Sequence, residues 1–317
     1  MKTIYNRIFM LMVALMMSLS SFAVGTYYKT VEIDGIHYAI YIDENTPPYA
    51  WTTSHDYDYI SYSGDITIPS SVTYEVENTW SGDDKYQYSD VTFPVMYINW
   101  GTFNNCENVK SVTIPNSVIE IQKGSFENCP LSSVTIPCTT VVIGGEAFKW
   151  CKNLTSVTNL SCVPQNIKYP FEKVFEVYCD LHVLKGCKKA YQEAPVWNQF
   201  NIIDDVEITP TMVKETIDVI DNVQKIYATD PVQGLNIVKA LITNARTAFD
   251  ALTKEQQAQV ININLLIEAE KTYGMSVSTG VIDINSDNNE NSKKYLENGR
   301  IVIVKNGKKF NINGLRK

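Results

Sequence analysis

Between Tyr27 and Ile203, apolar and polar positions alternate in short runs that end at proline. Asp65-Ile-Thr-Ile-Pro69, Asp90-Val-Thr-Phe-Pro94, Ser111-Val-Thr-Ile-Pro115 and Ser133-Val-Thr-Ile-Pro137 share one shape, and Ser156-Val-Thr158 repeats it in reduced form. Such alternation predicts strands with one buried face. Proline ends them because it cannot donate to a ladder. The central threonines, Thr67, Thr92, Thr113, Thr135 and Thr158, return every 21 to 25 residues. A second marker travels in phase: Gly101-Thr-Phe103 with Cys106, Gly124-Ser-Phe126 with Cys129, and Glu146-Ala-Phe148 with Cys151. Two markers at one period predict stacked coils, because one coil cannot bury its own apolar face. Ile114 and Ile136 then belong to the strand core, and the Phe and Cys positions plug the interior. The three cysteines should form a buried column with a step of about 4.8 Å. They read as small hydrophobes with inert thiols. A disulfide within the column is the alternative. A zinc site is disfavoured because no Cys-x-x-Cys pair occurs.

Past Ile203 the period changes to that of a helix. Val213, Ile217, Ile220, Val223 and Tyr227 share one face, with Thr209 and Pro210 as start signals. Val238, Leu241, Ala245, Phe249 and Leu252 mark a second helix, Thr253 and Gln256 a capping box, and Leu265, Leu266, Ala269 and Tyr273 a further one. Residues 204–275 are expected to form a small helical bundle, read as a separable spacer, with ligand binding as the alternative. Residues 276–292 have linker composition. Within them Asp283, Asn285 and Asp287 make half a calcium loop, but Asn288 and Lys294 stand where the loop needs Gly and Glu. Residues 293–317 carry two Asn-Gly turns, Asn298-Gly299 and Asn306-Gly307, around apolar strands, and predict a β meander.

The repeat resembles the BspA-like leucine-rich repeat. The elements that carry the resemblance are Ile114-Pro-Asn-Ser-Val118, Ile143-Gly-Gly-Glu-Ala-Phe148 and Asn128-Cys-Pro-Leu131. It implies a mainly β solenoid over residues 24–203, followed by the all-α bundle and the β meander. Val31-Glu-Ile-Asp-Gly-Ile36 resembles that family's capping hairpin, and Leu181 to Tyr191 with Trp197 its closing segment, although Leu184 replaces the usual proline. The stretch Tyr74–Asp90 departs from the pattern, so the first coil is expected to be distorted. The terminal meander is similar to the C-terminal sorting segments of proteins exported by the type IX system, and a simple packed hairpin is the alternative.

The N-terminus changes the setting. Lys2 and Arg7 lead an apolar run, Ile8 to Leu19, and small residues follow, with Ser21 and Ala23 at the −3 and −1 positions of a cut between Ala23 and Val24. This is the order of a signal peptide over residues 1–23. The apolar run is too short for about 30 Å of hydrocarbon, and an uncleaved anchor is the alternative. No later stretch is apolar enough to span a membrane. A secreted or cell-surface location follows, with a Gram-negative outer surface as the particular expectation.

Charge and composition narrow the partners. The last 25 residues carry eight Lys or Arg against Glu297 alone, while the whole chain is −8. An acidic body argues against nucleic acid. Twelve of 19 tyrosines fall between Tyr27 and Tyr97, which favours strand filling over an adaptable binding face. His37, on a hairpin strand opposite Ile36 and Tyr38, is expected to face solvent. His55 sits in a polar loop and His182 on a strand. No nucleophile elbow, metalloprotease helix or phosphate loop occurs. A non-enzymatic binding protein without cofactor or metal is expected, adhesin-like, with host, matrix or other surface proteins as partners. The alternatives are a structural envelope component and a glycan-binding accessory using Trp51 and Trp80. Trp100, beside a repeat marker, is expected in the core.

Overall fold

The computed structural model describes residues 27–42, 47–53, 62–78, 87–165, 167, 179–226, 231–275, 292–297, 300–305 and 308–310. Ala23, Val24, the leader, Trp80, His55, Tyr227 and the half calcium loop lie outside the described residues.

The N-terminal hairpin pairs β1 (Tyr27–Ile33) with β2 (Ile36–Ile42). Its turn residues, Asp34 and Gly35, both have positive φ, 51° and 77°, as two-residue turns between twisted strands require. β3 (Tyr49–Thr52) adds antiparallel to β2. From β3 onward the sheet is parallel: β6 (Gln87–Ile98), β8 (Glu120–Ile121) and β10 (Val142–Ile143) follow in order. The hairpin therefore covers what would be an open sheet edge.

The Val-Thr-Ile strands form a second layer. β9 (Ser133–Ile136), β11 (Ser156–Asn159), β12 (Asp180–Leu184) and β13 (Asn201–Val206) are all parallel, and β4 (Ser63–Thr67) pairs with β7 (Asn108–Thr113). The departure at Tyr74–Asp90 is a hairpin arm. β5 (Ser71–Asn78) runs antiparallel to β6, from Ser71 opposite Pro94 to Asn78 opposite Gln87.

The turns carrying the Phe-x-x-Cys marker are bonded coil to coil. Phe103 N–H donates to Ser125 C=O and Phe126 N–H to Ala147 C=O, both at 2.8 Å. The rings follow: Phe103 and Phe126 stack at 5.2 Å, and Phe126 and Phe148 at 5.4 Å. All three are fully buried, as are Ile136, Cys106, Cys129 and Cys151, and Ile114 is nearly so. Gly144 marks the tightest approach. A Cβ there would lie 2.4 Å from the backbone N of Lys123 in the preceding coil, so no side chain fits.

The stack closes with α1 (Lys188–Glu193) and a 3-10 turn (Trp197–Gln199). Tyr191 Oη donates to Ser161 C=O at 2.8 Å, and Trp197 Nε1 to Gln165 C=O at 3.0 Å. Val196, which delivers Trp197, has φ 74° and ψ −53°, a rare and strained γ-type conformation for a β-branched residue.

Among the described residues four helices follow: α2 (Pro210–Ile226), α3 (Pro231–Ala251), α4 (Lys254–Gln257) and α5 (Ile263–Thr272). Thr209 Oγ1 accepts the Met212 N–H at the start of α2, and Pro210 needs no such bond. Thr253 and Gln256 cap α4 reciprocally. Val213, Ile217, Ile220 and Val223 line the buried face of α2. In α5, Leu266 and Ala269 are buried, whereas Leu265 is exposed.

The helices, expected as a separable spacer, are docked against the repeats. The helices share one hydrophobic core with the repeats. Buried polar bonds cross the boundary: Asn244 of α3 accepts from Cys162 N–H at 2.8 Å and donates to Cys138 C=O, and Thr216 of α2 donates to Cys138 Sγ at 3.1 Å. Groups with such buried partners cannot part without exposing them. At the C-terminus, β14 (Ser292–Glu297), β15 (Arg300–Lys305) and β16 (Lys308–Phe310) pair antiparallel in sequence order.

Candidate functional surfaces

Two surfaces present repeated side chains to solvent. The first is the outward face of the Val-Thr-Ile layer. Alternation buries Val112, Val134, Val157 and Leu181 and turns their neighbours outward. In register, Ser133, Ser156, Asp180 and Asn201 form one row, and Thr135, Thr158, His182 and Ile203 the next. Asp65 with Ser111, and Thr67 with Thr113, repeat the arrangement on β4 and β7. The rows are tied laterally: Ser111 Oγ donates to Asp65 Oδ1 at 2.7 Å and Asn201 Nδ2 to Asp180 Oδ1 at 2.7 Å. His182 Nδ1 lies 2.9 Å from Asp205 Oδ2.

The second surface is the edge formed by the stacked turns. Asn105, Asn128 and Trp150 occupy equivalent positions, one before each cysteine, with φ of 58°, 60° and 60°. Asn128 Nδ2 donates to Asn105 Oδ1 at 2.9 Å, and Asn104 Nδ2 to Glu127 Oε2 at 3.0 Å. Asn tolerates the left-handed region, but a bulky residue there is an outlier, at a cost of about 1–2 kcal/mol. Trp150 is 43% exposed, with Lys149 Nζ 4.7 Å above its ring. Trp100, on the first turn, is 67% exposed. That overturns its expected place in the core: it precedes the inward Thr102–Phe103 pair, and the chain is still turning there.

Other positions resolve differently. Trp51 is half-buried, and its ring lies 5.8 Å from that of Tyr49, which also touches Tyr41 and Tyr97. These aromatics therefore fill the outer face of the capping sheet. His37 is buried (7% exposed), not solvent-facing. β2 lies between β1 and β3 with every residue from Ile36 to Tyr41 buried, so alternation along it does not separate core from solvent. His37 N–H donates to Tyr62 Oη at 3.2 Å. An open cleft of about 670 Å³ lies between the Asp34–Gly35 turn and β4, lined in part by Tyr38, Tyr62 and Asp65.

The thiols are free and buried. Burial raises the Cys106, Cys129 and Cys151 thiols, Cys151 to about 12. Cys138 is pushed to about 11 by burial, against the hydrogen bond from Thr216. Cys162 and Cys187 share a thiol hydrogen bond that raises the first and lowers the second. Among the described residues no group of three His, Cys, Asp or Glu could hold a metal ion, and no helix is long and apolar enough to cross a membrane.

Residues 77–192 match the BspA type leucine rich repeat region in six copies. The match is confined to residues 77–192, which carry repeats of the BspA type. Among solved structures, the pneumococcal vaccine antigen PcpA is 16% identical over 50% of this chain and 43% of that one, with a TM-score of 0.30. A leucine rich cell surface protein from Faecalibacterium prausnitzii A2-165 is 14% identical over 41% and 54%, at a TM-score of 0.17. A leucine-rich repeat protein from Bacteroides ovatus ATCC 8483 is 15% identical over 52% and 56%, at a TM-score of 0.21. The chain spans about half the length of these structures. No curated protein matches it.

Proposed function

We infer that the chain is an exported, non-enzymatic repeat protein that binds another protein through the outward face of its Val-Thr-Ile strands. The observation that carries this reading is the register of the two rows, Ser133–Ser156–Asp180–Asn201 and Thr135–Thr158–His182–Ile203. Short hydroxyl side chains lose little rotamer freedom on binding, and Thr is already stiff at χ1. A face of this kind is organised before it meets a partner, which lowers the cost of association. Host, matrix or neighbouring surface proteins are the partners in this reading. The signal-like N-terminus supports export, and the basic terminal segment supports a second address to the surface. The domain limits 24–203, 204–275 and 293–317 stand as part of the same proposal.

The test is an array of extracellular matrix and cell-surface proteins probed with residues 24–317. Wild type is expected to bind, and Thr135→Lys with Thr158→Lys to bind at least tenfold more weakly while melting at the same temperature. Undiminished binding by that double variant would remove the sheet face from consideration. For location, protease added to intact cells should shave the full chain but not one ending at residue 292. Equal shaving of both would leave the tail as a simple hairpin.

A further inference from the structure

The turn edge departs from the repeat in its third coil, and both departures are against local preference. Glu146 has φ 63° where the two preceding coils have glycine, and Trp150 has φ 60° where they have asparagine. Backbone strain persists only where the rest of the structure enforces it, and it collects at functional positions. Trp150 is covered on one side by Lys149, whose Nζ lies 4.7 Å above the ring, but 43% of its surface stays exposed, and Trp100 at the other end of the same edge is 67% exposed. Core packing accounts for neither residue. Between them lie side chains already held in place: Asn128 bonded to Asn105, and Asn104 bonded to Glu127. Each of these amides keeps unused donors or acceptors. The charges balance: two carboxylates, Glu127 and Glu146, stand with two lysines, and Glu146 bridges both, Lys149 at 2.9 Å and Lys123 at 3.4 Å.

We propose that this edge, from Trp100 across Asn105 and Asn128 to Trp150, binds a neutral polysaccharide. A sugar ring offers an apolar C–H face and a rim of hydroxyls. An exposed indole matches the face, and planar amides and a carboxylate match pairs of hydroxyls. The stacking of the turns sets the spacing. Successive rings in the column beneath are 5.2 and 5.4 Å apart, about the length of one pyranose, so sugars in an extended chain can follow the coils in step. Matched charge favours an uncharged ligand over an anionic one. This edge is distinct from the strand face of the protein-binding reading, so either can fail alone.

The test is affinity electrophoresis of the full mature chain through gels containing mixed-linkage β-glucan, mannan, galactan, xylan or starch. At least one polysaccharide should retard the wild type. Trp150→Asn restores the residue type of the two earlier coils, so it should melt at or above the wild-type temperature while losing retardation at least tenfold. Trp100→Ala should weaken retardation, and Thr135→Lys should leave it unchanged. Three results overturn the proposal: no retardation by any of the five, retardation unaffected by Trp150→Asn, or a melting temperature lowered by Trp150→Asn, which would make Trp150 a structural residue. A protein partner lost with Trp150→Asn, without any retardation, would assign the edge to protein binding instead.

Discussion

Asn244 and Cys162, 82 residues apart in the chain, meet through a buried hydrogen bond of 2.8 Å from the Cys162 N–H to the Asn244 side-chain oxygen. The amide nitrogen of Asn244 donates to the Cys138 carbonyl. One side chain on α3 thus satisfies backbone groups in two separate loops of the repeat stack. Replacing it with Leu would leave both buried without partners, at about 1–3 kcal/mol for each group. We expect Asn244→Leu to lower the melting temperature markedly, and the wild type to unfold in one transition that reports strands and helices together. Two separate transitions, one per element type, would show that the docking is energetically trivial.

What the sequence made legible was whatever is governed by period. Thr113, Thr135 and Thr158 and the Phe-x-x-Cys markers recur because each coil repeats one solution, and the Asp34–Gly35 turn and the Thr253–Gln256 cap follow from local chemistry. The misreadings share a cause, which is neighbours remote in sequence. His37 alternates correctly, but β1, β3 and Tyr62 surround its strand. Trp100 is one residue from a core marker, yet that residue decides between the inside and outside of a turn. The docking of α2 and α3 depends on Asn244 and Thr216, single polar residues on otherwise ordinary helix faces, and no pattern in a helix announces what it will touch.

The aromatic column should be the most sensitive part of the repeat core. Phe126 is stacked on both sides and fully buried. Phe126→Ala is expected to cost about 3–5 kcal/mol, through lost transfer energy and an unfilled cavity. Chemical denaturation with a linear extrapolation measures this. A loss under 1 kcal/mol would show that the ring is not held between its neighbours.

The helices carry a buried ion pair. Arg246 Nε and Nη2 reach the two carboxylate oxygens of Glu270, at 2.5 and 2.8 Å, and the Glu270 side chain is almost inaccessible. Removing one partner of a buried pair leaves an uncompensated charge, at about 3–5 kcal/mol. Arg246→Met should therefore destabilise strongly. The double variant Arg246→Met/Glu270→Leu should recover much of the loss, because both charges are gone. A double variant no more stable than Arg246→Met would mean that packing around Arg246, and not charge, sets the cost.

The thiols make stability fall in alkali, and the sign follows from burial. Cys138 and Cys179 have their thiols pushed up to about 11, and Cys151 to about 12, from an ordinary value near 9, with desolvation as the first cause in each. Tyr62 is raised by burial to about 12 from its ordinary 10.0. In the folded protein these groups stay protonated, while in the unfolded chain the thiols ionise above about pH 9. The unfolded state then binds fewer protons than the folded one, so stability decreases with rising pH. The stabilising contribution is complete below pH 9 and is lost as pH rises through the window from 9 to about 12. Each raised thiol contributes a slope of up to about 1.4 kcal/mol per pH unit within that window. Melting temperatures between pH 7.5 and 10.5 should show a plateau and then a decline that steepens above pH 9. Cys151→Ala lowers the plateau by opening a small cavity, but it also removes one titrating group, so its decline should be shallower than that of the wild type. Parallel declines in the two proteins would show that the Cys151 thiol titrates alike in the folded and unfolded states, and hence that it is not sealed in the core.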